Sequence, residues 1–151
     1  MLKNYLSLIK FSHTIFALPF ALIGFTLAVS QKEYAFTWDK LLFVLLCMIF
    51  ARSAAMAFNR YIDKDVDTAN PRTAKIREIP NGTIKAGSAL RFVIVNCMLF
   101  MGTAYLLNSL CFLLSPIALL VILGYSYTKR FTALCHLILG LGLSLSPIGA
   151  Y

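Results

Sequence analysis

The sequence predicts an all-α protein, a polytopic bundle of transmembrane helices. Three observations carry that expectation: about five apolar runs approach or reach membrane-spanning length, charge is scarce, and most of the charges fall between the runs. Hydrophobic residues make up 60% of the 151 and charged residues 13%, where soluble domains average about a quarter charged. Mean hydropathy is +0.79. A soluble fold of this length has too little interior to hide so much apolar surface, whereas hydrocarbon accepts it in spans of ~20 residues.

The runs lie at 11–29, 41–58, 90–107, 110–127 and 131–151. Each is continuous rather than alternating, which excludes barrel strands and leaves the helix as the spanning form. The first run is long and lacks a small-residue cleavage site, so it is expected to stay in the membrane rather than be removed as a signal. Residues 31–40 form a short polar loop, 108–109 a tight polar break and 128–130 another short connection. The long connection is 61–89, rich in charge, with Pro and Gly. The fifth run carries Gly140, Gly142, Pro147 and Gly149 and reaches Tyr151 without a polar tail, so the chain is expected to be a fragment. Cys47, Cys97, Cys111 and Cys135 all lie in apolar stretches with no C-x-x-C pair, and read as small buried hydrophobes. His13 and His136, also in apolar runs, read as hydrogen-bonded helix-packing residues rather than ligands.

The net charge of +8 invites a nucleic-acid reading. The cations are clustered between apolar runs instead of spread on one polar face, which excludes it. They set an orientation instead. With the N-terminus in the cytoplasm, the inner side holds Lys3, Lys10, Arg60, Lys64, Arg72, Lys75, Arg77, Lys85, Arg91, Lys129 and Arg130, and the outer side only Lys32 and Lys40. This bias places the long connection inside the cell. Arg52 is the remaining cation, within the second run.

The inner end of the second run reads Arg52-Ser-Ala-Ala-Met-Ala-Phe-Asn59-Arg-Tyr-Ile-Asp63-Lys-Asp-Val-Asp67. If the helix continues, each residue advances ~100°, so Asn59, Asp63 and Asp67 fall within about 80° of one another and Arg52 within about 20° of Asn59. Asp65 points to nearly the opposite side. Hard cations such as Mg2+ take oxygen ligands, commonly one or two carboxylates together with substrate phosphates and water. Asn59, Asp63 and Asp67 are therefore candidate metal ligands and catalytic residues. Arg72, Lys75 and Arg77 follow, then Pro80-Asn-Gly82, a turn signal. Guanidinium forks suit phosphate oxygens. Tyr125 and Lys129, four residues apart at the inner end of the fourth run, share a helix face and bring a hydroxyl and an ammonium to the same side.

Each feature has a plainer reading. The carboxylates fit an ordinary interfacial helix end paired with Arg60 or Lys64. The loop cations fit positive-inside topology alone, and Tyr125 with Lys129 fits an interfacial aromatic belt with a snorkelling lysine. Arg52 weighs against the first of these, because an ionisable residue inside a membrane helix is costly and usually faces a cavity.

Taken together these residues resemble the UbiA superfamily of intramembrane prenyltransferases, over essentially all 151 residues. Asn59-x-x-x-Asp63-x-x-x-Asp67 resembles its first Asp-rich motif, Arg72 and Arg77 the basic pair after it (here one residue further apart), and Tyr125-x-x-x-Lys129 its Y-x-x-x-K motif. Arg52 matches a position used near the aromatic acceptor, and residues 51–59 are most similar to bacterial 4-hydroxybenzoate polyprenyltransferases or their futalosine-pathway menaquinone counterparts. The resemblance implies Mg2+-dependent transfer of a polyprenyl group from its diphosphate to an aromatic acid in quinone biosynthesis. It implies Arg72, Arg77, Tyr125 and Lys129 on the diphosphate and Arg52 on the acceptor. It also implies a bacterial inner-membrane enzyme with its active-site loops in the cytoplasm and no nucleic-acid partner. The family has about nine helices and a second Asp-rich motif. After Asp67 this chain has a single acidic residue, Glu78, so residues 1–151 are expected to be a partial domain with about five helices, inactive alone. The rival readings are a relative using another acceptor, or a piece of an ion-coupled transporter with Asp63 and Asp67 as its cation site. Oligomeric state is not encoded in these motifs.

The orientation predicts that a single cysteine placed in the 68–85 connection of a cysteine-free variant reacts with impermeant thiol reagents only from the cytoplasmic face. Labelling from the opposite face reverses the topology.

Overall fold

The computed structural model describes residues 2–10, 14–31, 35–132 and 134–151. The expectations for His13, for Lys32 and for the first residues of the first apolar run lie outside the described residues. Among the described residues eight helices follow one another: α1 (Leu2–Leu8), α2 (Thr14–Ser30), α3 (Trp38–Ile62), α4 (Lys64–Ala69), α5 (Pro71–Ile76), α6 (Ala86–Leu107), α7 (Ser109–Thr128) and α8 (Cys135–Ala150).

Three of these are long and apolar enough to cross a membrane: α3, α6 and α7, with 25, 22 and 20 residues and mean hydropathies of 2.2, 1.7 and 2.1. The first and fifth apolar runs become shorter helices, α2 with 17 residues and α8 with 16. α8 starts at Cys135 and not at 131, because the chain first turns through Lys129–Phe131, where Phe131 N–H donates to the Thr128 carbonyl at 3.0 Å. α3 is longer than its apolar run at both ends, reaching Trp38 and carrying its polar end to Ile62. Large side chains such as Leu113 and Leu120 stand 71% and 74% exposed, the surface a lipid environment requires. His136 is exposed on α8 and not packed between helices. Cys135 is buried, and Cys47, Cys97 and Cys111 are half-buried free thiols.

Small residues decide how closely the helices approach. Ala54 and Ala57 of α3 and Ala89 of α6 are fully buried, and they form a cluster with Leu8, Ile9, Ile84 and Val93 at one end of the bundle. Without large side chains between them, two backbones can pack closely by van der Waals contact, which is what holds helices together in lipid. A second cluster, Ala21, Phe25, Val44, Met48 and Ala150, joins α2, α3 and α8. Here Gly24 lies directly against the Pro147 backbone, so that a Cβ would overlap its carbonyl.

The 61–89 connection is not loose. It folds into α4 and α5 and a turn in which Gly82 takes φ 79°, a left-handed conformation that glycine adopts without strain. Ile84 N–H then donates to the Glu78 carbonyl at 2.9 Å and Ile84 plugs into the first cluster. α1 closes over the same end: Tyr5 stacks on Phe92 with centroids 5.0 Å apart, and the Ser7 hydroxyl donates to Glu78 Oε1 at 2.5 Å. Arg130, after α7, reaches the Ile62 carbonyl at the end of α3. The segments carrying the eleven cations assigned to the inner face thus gather at one end of the bundle, while Trp38 and Lys40 begin α3 at the other.

Gly24→Ala is expected to force α2 from α8 and to destabilise the protein by about 1–3 kcal/mol, the usual range for overpacking. Gly140→Ala, which has open space around its added methyl, serves as control. Thermal unfolding in detergent should show a lowered midpoint for the first substitution and none for the second.

Candidate active site

The polar stripe depends on how α3 passes into α4. Asp63, between them, has φ −79° and ψ −2°, still in the right-handed helical region. Its N–H donates to the Asn59 carbonyl at 3.0 Å, and Asp67 N–H donates to the Asp63 carbonyl at 2.8 Å. Both bonds span four residues, so the single turn at Asp63 keeps the chain winding in the same sense although α3 ends at Ile62 and α4 begins at Lys64. As a result Asp67 points inward, its side chain 8% exposed, while Asp65 is exposed.

Both inward carboxylates meet a cation from a distant segment. Lys129, at the end of α7, donates from Nζ to Asn59 Oδ1 and, at 2.5 Å, to Asp63 Oδ2. Arg77, which ends α5, donates from Nη1 to Asp67 Oδ2. α5 is placed for this by its own start: Pro71 needs no N–H donor at a first helical position, and Asn70 Oδ1 accepts from Arg72 N–H at 3.0 Å. The Thr73 hydroxyl donates to the Asp67 carbonyl at 2.8 Å, fastening α5 to α4. The local partners allowed by sequence spacing are not used. Lys64 sits over the Tyr61 ring, 5.0 Å from its centroid, and the buried Arg60 forms no ion pair with either Asp.

The other candidates stand around these pairs. Arg72 is exposed and its side chain joins neither pair. Tyr125 is half-buried one turn before Lys129, whose N–H its carbonyl accepts at 3.3 Å. Arg52 is half-buried two turns below Asn59, with Nε enclosed and without a hydrogen-bond partner. Two residues were missed by sequence reasoning. Arg60 is 8% exposed and its Nε also lacks a partner. Its signal was present, since a seven-residue spacing puts it within about 20° of Asp67. Arg130, read only as a topological charge, caps α3 through the Ile62 carbonyl, one of the orphan acceptors at a helix end.

Among the described residues no three His, Cys, Asp or Glu side chains converge as a metal cluster. The side-chain acceptors of Asn59, Asp63 and Asp67 are all oxygen, the kind of donor a hard divalent cation takes, and each carboxylate accepts a hydrogen bond from a cationic side chain.

The UbiA prenyltransferase family model matches residues 17–151. The chain belongs to that family. A 4-hydroxybenzoate octaprenyltransferase of Aliivibrio fischeri strain MJ11 is 34% identical over 114 residues, 76% of this chain and 39% of the relative. The apo structure of a UbiA homologue from Aeropyrum pernix K1 is 37% identical, with a TM-score of 0.83 over 92% of this chain and 49% of that one. A UbiA homologue from Archaeoglobus fulgidus, bound to GPP and Mg2+, shares the fold at 20% identity and a TM-score of 0.73, covering 97% of this chain and 53% of that one. This chain therefore spans well under two thirds of the length of these relatives. Its family and its apolar helices make it a multi-pass membrane protein.

The Asp67–Arg77 contact within this UbiA-type site is open to a double-mutant cycle. Arg77→Met leaves a nearly buried carboxylate unpaired and is expected to destabilise by about 1–3 kcal/mol, the guanidinium being partly solvated. Asp67→Asn with Arg77→Met should recover much of that loss, giving a coupling of about 1–2 kcal/mol in unfolding measured in mixed micelles.

Proposed function

We propose that residues 1–151 are the donor-binding part of a UbiA-type enzyme that transfers a polyprenyl group from its diphosphate to an aromatic acid of the 4-hydroxybenzoate or dihydroxynaphthoate kind. The reading places it in the bacterial inner membrane with the site at the cytoplasmic face. The observation that carries it is the meeting of Asn59, Asp63 and Lys129, with the Lys129 bonds spanning 70 and 66 residues of sequence, beside the Asp67–Arg77 pair. A transporter's cation site has no need of a lysine and an arginine brought from two other segments onto its carboxylates. A diphosphate site does.

In this reading Asn59, Asp63 and Asp67 would hold Mg2+, which supplies charge neutralisation to the diphosphate leaving group when bound. Lys129 and Arg77 donate charge-assisted hydrogen bonds to diphosphate oxygens and stabilise the negative charge that grows there as the allylic C–O bond breaks. Arg72, exposed at the start of α5, is free to reach the outer phosphate, and the Tyr125 hydroxyl is a further donor on the Lys129 side. Arg52 offers its guanidinium to the acid group of the acceptor, two turns deeper in the bundle. The surrounding apolar helices exclude water, which protects the electron-poor prenyl carbon until the electron-rich ring attacks it. The acid acceptor rests on Arg52 and on the name of the Aliivibrio fischeri relative.

In the complete enzyme, Asp63→Ala and Asp67→Ala are expected to lower Mg2+-dependent prenyl transfer by at least about a thousandfold, as loss of a charge-stabilising group in a dry site does. Asp65→Ala should stay within about threefold of wild type. Arg52→Ala should raise the acceptor KM more than the donor KM. Equal losses at all three aspartates would refute the assignment.

A further inference from the structure

The two inward carboxylates already carry cations. Lys129 Nζ is bonded to both Asn59 and Asp63, two of the three oxygen donors available to a metal, and Arg77 is bonded to the third, Asp67. The carboxylates are largely enclosed, the side chains of Asp63 and Asp67 being 16% and 8% exposed, while those of Lys129 and Arg77 are 22% and 28% exposed. We propose that Lys129 and Arg77 are internal cations that keep free divalent metal out of the Asp63–Asp67 site, so that the species captured is metal and diphosphate together. The inference rests on the donor-binding reading of this site and adds to it the identity of the bound species.

The physical reason is charge balance in a poorly hydrated place. A metal arriving alone must displace an ammonium and a guanidinium from their carboxylates. Both cations then face each other and the metal without an anionic partner, in surroundings where unpaired charge is expensive. A diphosphate arriving with the metal gives both displaced cations new oxygen acceptors of the kind they bind best. The carboxylates pass to the metal, the cations pass to the phosphates, and no charge is left over. Metal and diphosphate therefore each raise the affinity of the other, by the same factor. In the absence of diphosphate, metal affinity is reduced by the small fraction of molecules in which Lys129 and Arg77 have released their carboxylates.

Mn2+ binding by the 151-residue chain in detergent micelles tests this, followed by loss of the free-ion signal in electron paramagnetic resonance, with empty micelles as blank. Without diphosphate, wild type is expected to bind Mn2+ about tenfold or more weakly than Lys129→Met, in which nothing competes for Asp63. Inorganic pyrophosphate should tighten wild-type retention of Mn2+ by about tenfold or more, and should do so far less in Lys129→Met, which has lost both the competitor and a phosphate donor. Lys129→Arg keeps a cation in place and should resemble wild type toward free Mn2+. Arg77→Gln repeats the measurement at Asp67, so a folding defect in one variant does not decide the matter. Equal affinity of wild type, Lys129→Met and Arg77→Gln for free Mn2+ would overturn the proposal while leaving the donor site standing. Failure of every variant to retain Mn2+ even with pyrophosphate would overturn the donor site itself.

Discussion

Asp63 sits where α3 passes into α4, and the two hydrogen bonds made by its backbone are what the rest of the site depends on. Had the chain turned away there, the direction of Asp67 would have been unrelated to that of Asn59. Because Asp63 stays near helical dihedrals and its backbone bonds in both directions, the chain passes from α3 to α4 without reversing, and Asp63 and Asp67 both turn inward. The two cations then act as ties as well as counter-charges. Lys129 draws the end of α7 onto α3, and Arg77 folds the connection after Asp67 back against α4. Thr73 and Asn70 add neutral bonds to the second tie.

This polar end stands on an apolar floor chosen for closeness. Alanines at 54, 57 and 89 let α3 and α6 approach, and Leu8 and Ile9 from the N-terminal segment seal the gap with Ile84. Bulkier residues would push the two helices apart and with them the segments that bear Asp63 and the turn at Gly82. The floor also limits water from below, which strengthens every charge interaction above it. The sequence thus joins two unlike requirements, small apolar residues to bring helices together and paired charges at their ends, within sixteen residues from 52 to 67.

Much of this was legible in the sequence, and what was not has physical causes. The long apolar runs announced helices because continuous hydrophobicity has no other use at that length. The Asn59, Asp63 and Asp67 stripe could be drawn from a period of 3.6 because Asp63, between α3 and α4, keeps right-handed helical dihedrals. Asp65 was set aside for the same reason and is indeed exposed. Helix limits were less accurate, since hydropathy does not report where a backbone turns: the start of α8 follows from local hydrogen bonds and turns after Thr128. Pairing across segments was hidden as well. Nothing in the spacing states that Arg77, and not Arg72, meets Asp67, because that choice depends on the direction in which α5 leaves Asn70. Nor does composition tell the role of Arg130, since a helix-capping arginine and a topological arginine are the same residue in a different place.

Arg52 and Arg60 carry the argument one step further. Each holds an enclosed Nε that bonds to nothing, although buried polar groups in folded proteins are almost always bonded. An unmet donor of this kind costs about 1–3 kcal/mol, and in a membrane helix the charge adds to it. Neither residue is needed to balance Asp63 or Asp67, which have Lys129 and Arg77. The two arginines sit on the same helix as the carboxylates, Arg60 next to Asn59 and Arg52 about 10 Å further along the axis by the rise of 1.5 Å per residue. α3 therefore keeps positive charge in reserve at two depths, beside the carboxylates and well inside the bundle. A single small anion has no use for both. A pair of substrates does, if one presents a diphosphate at the mouth and the other an acid group below it with its ring directed at the prenyl carbon between them. On the proposed reading the unmet donors are a cost of folding that substrate binding would remove, and the depth of Arg52 would set how far into the bundle an acceptor's acid group must reach.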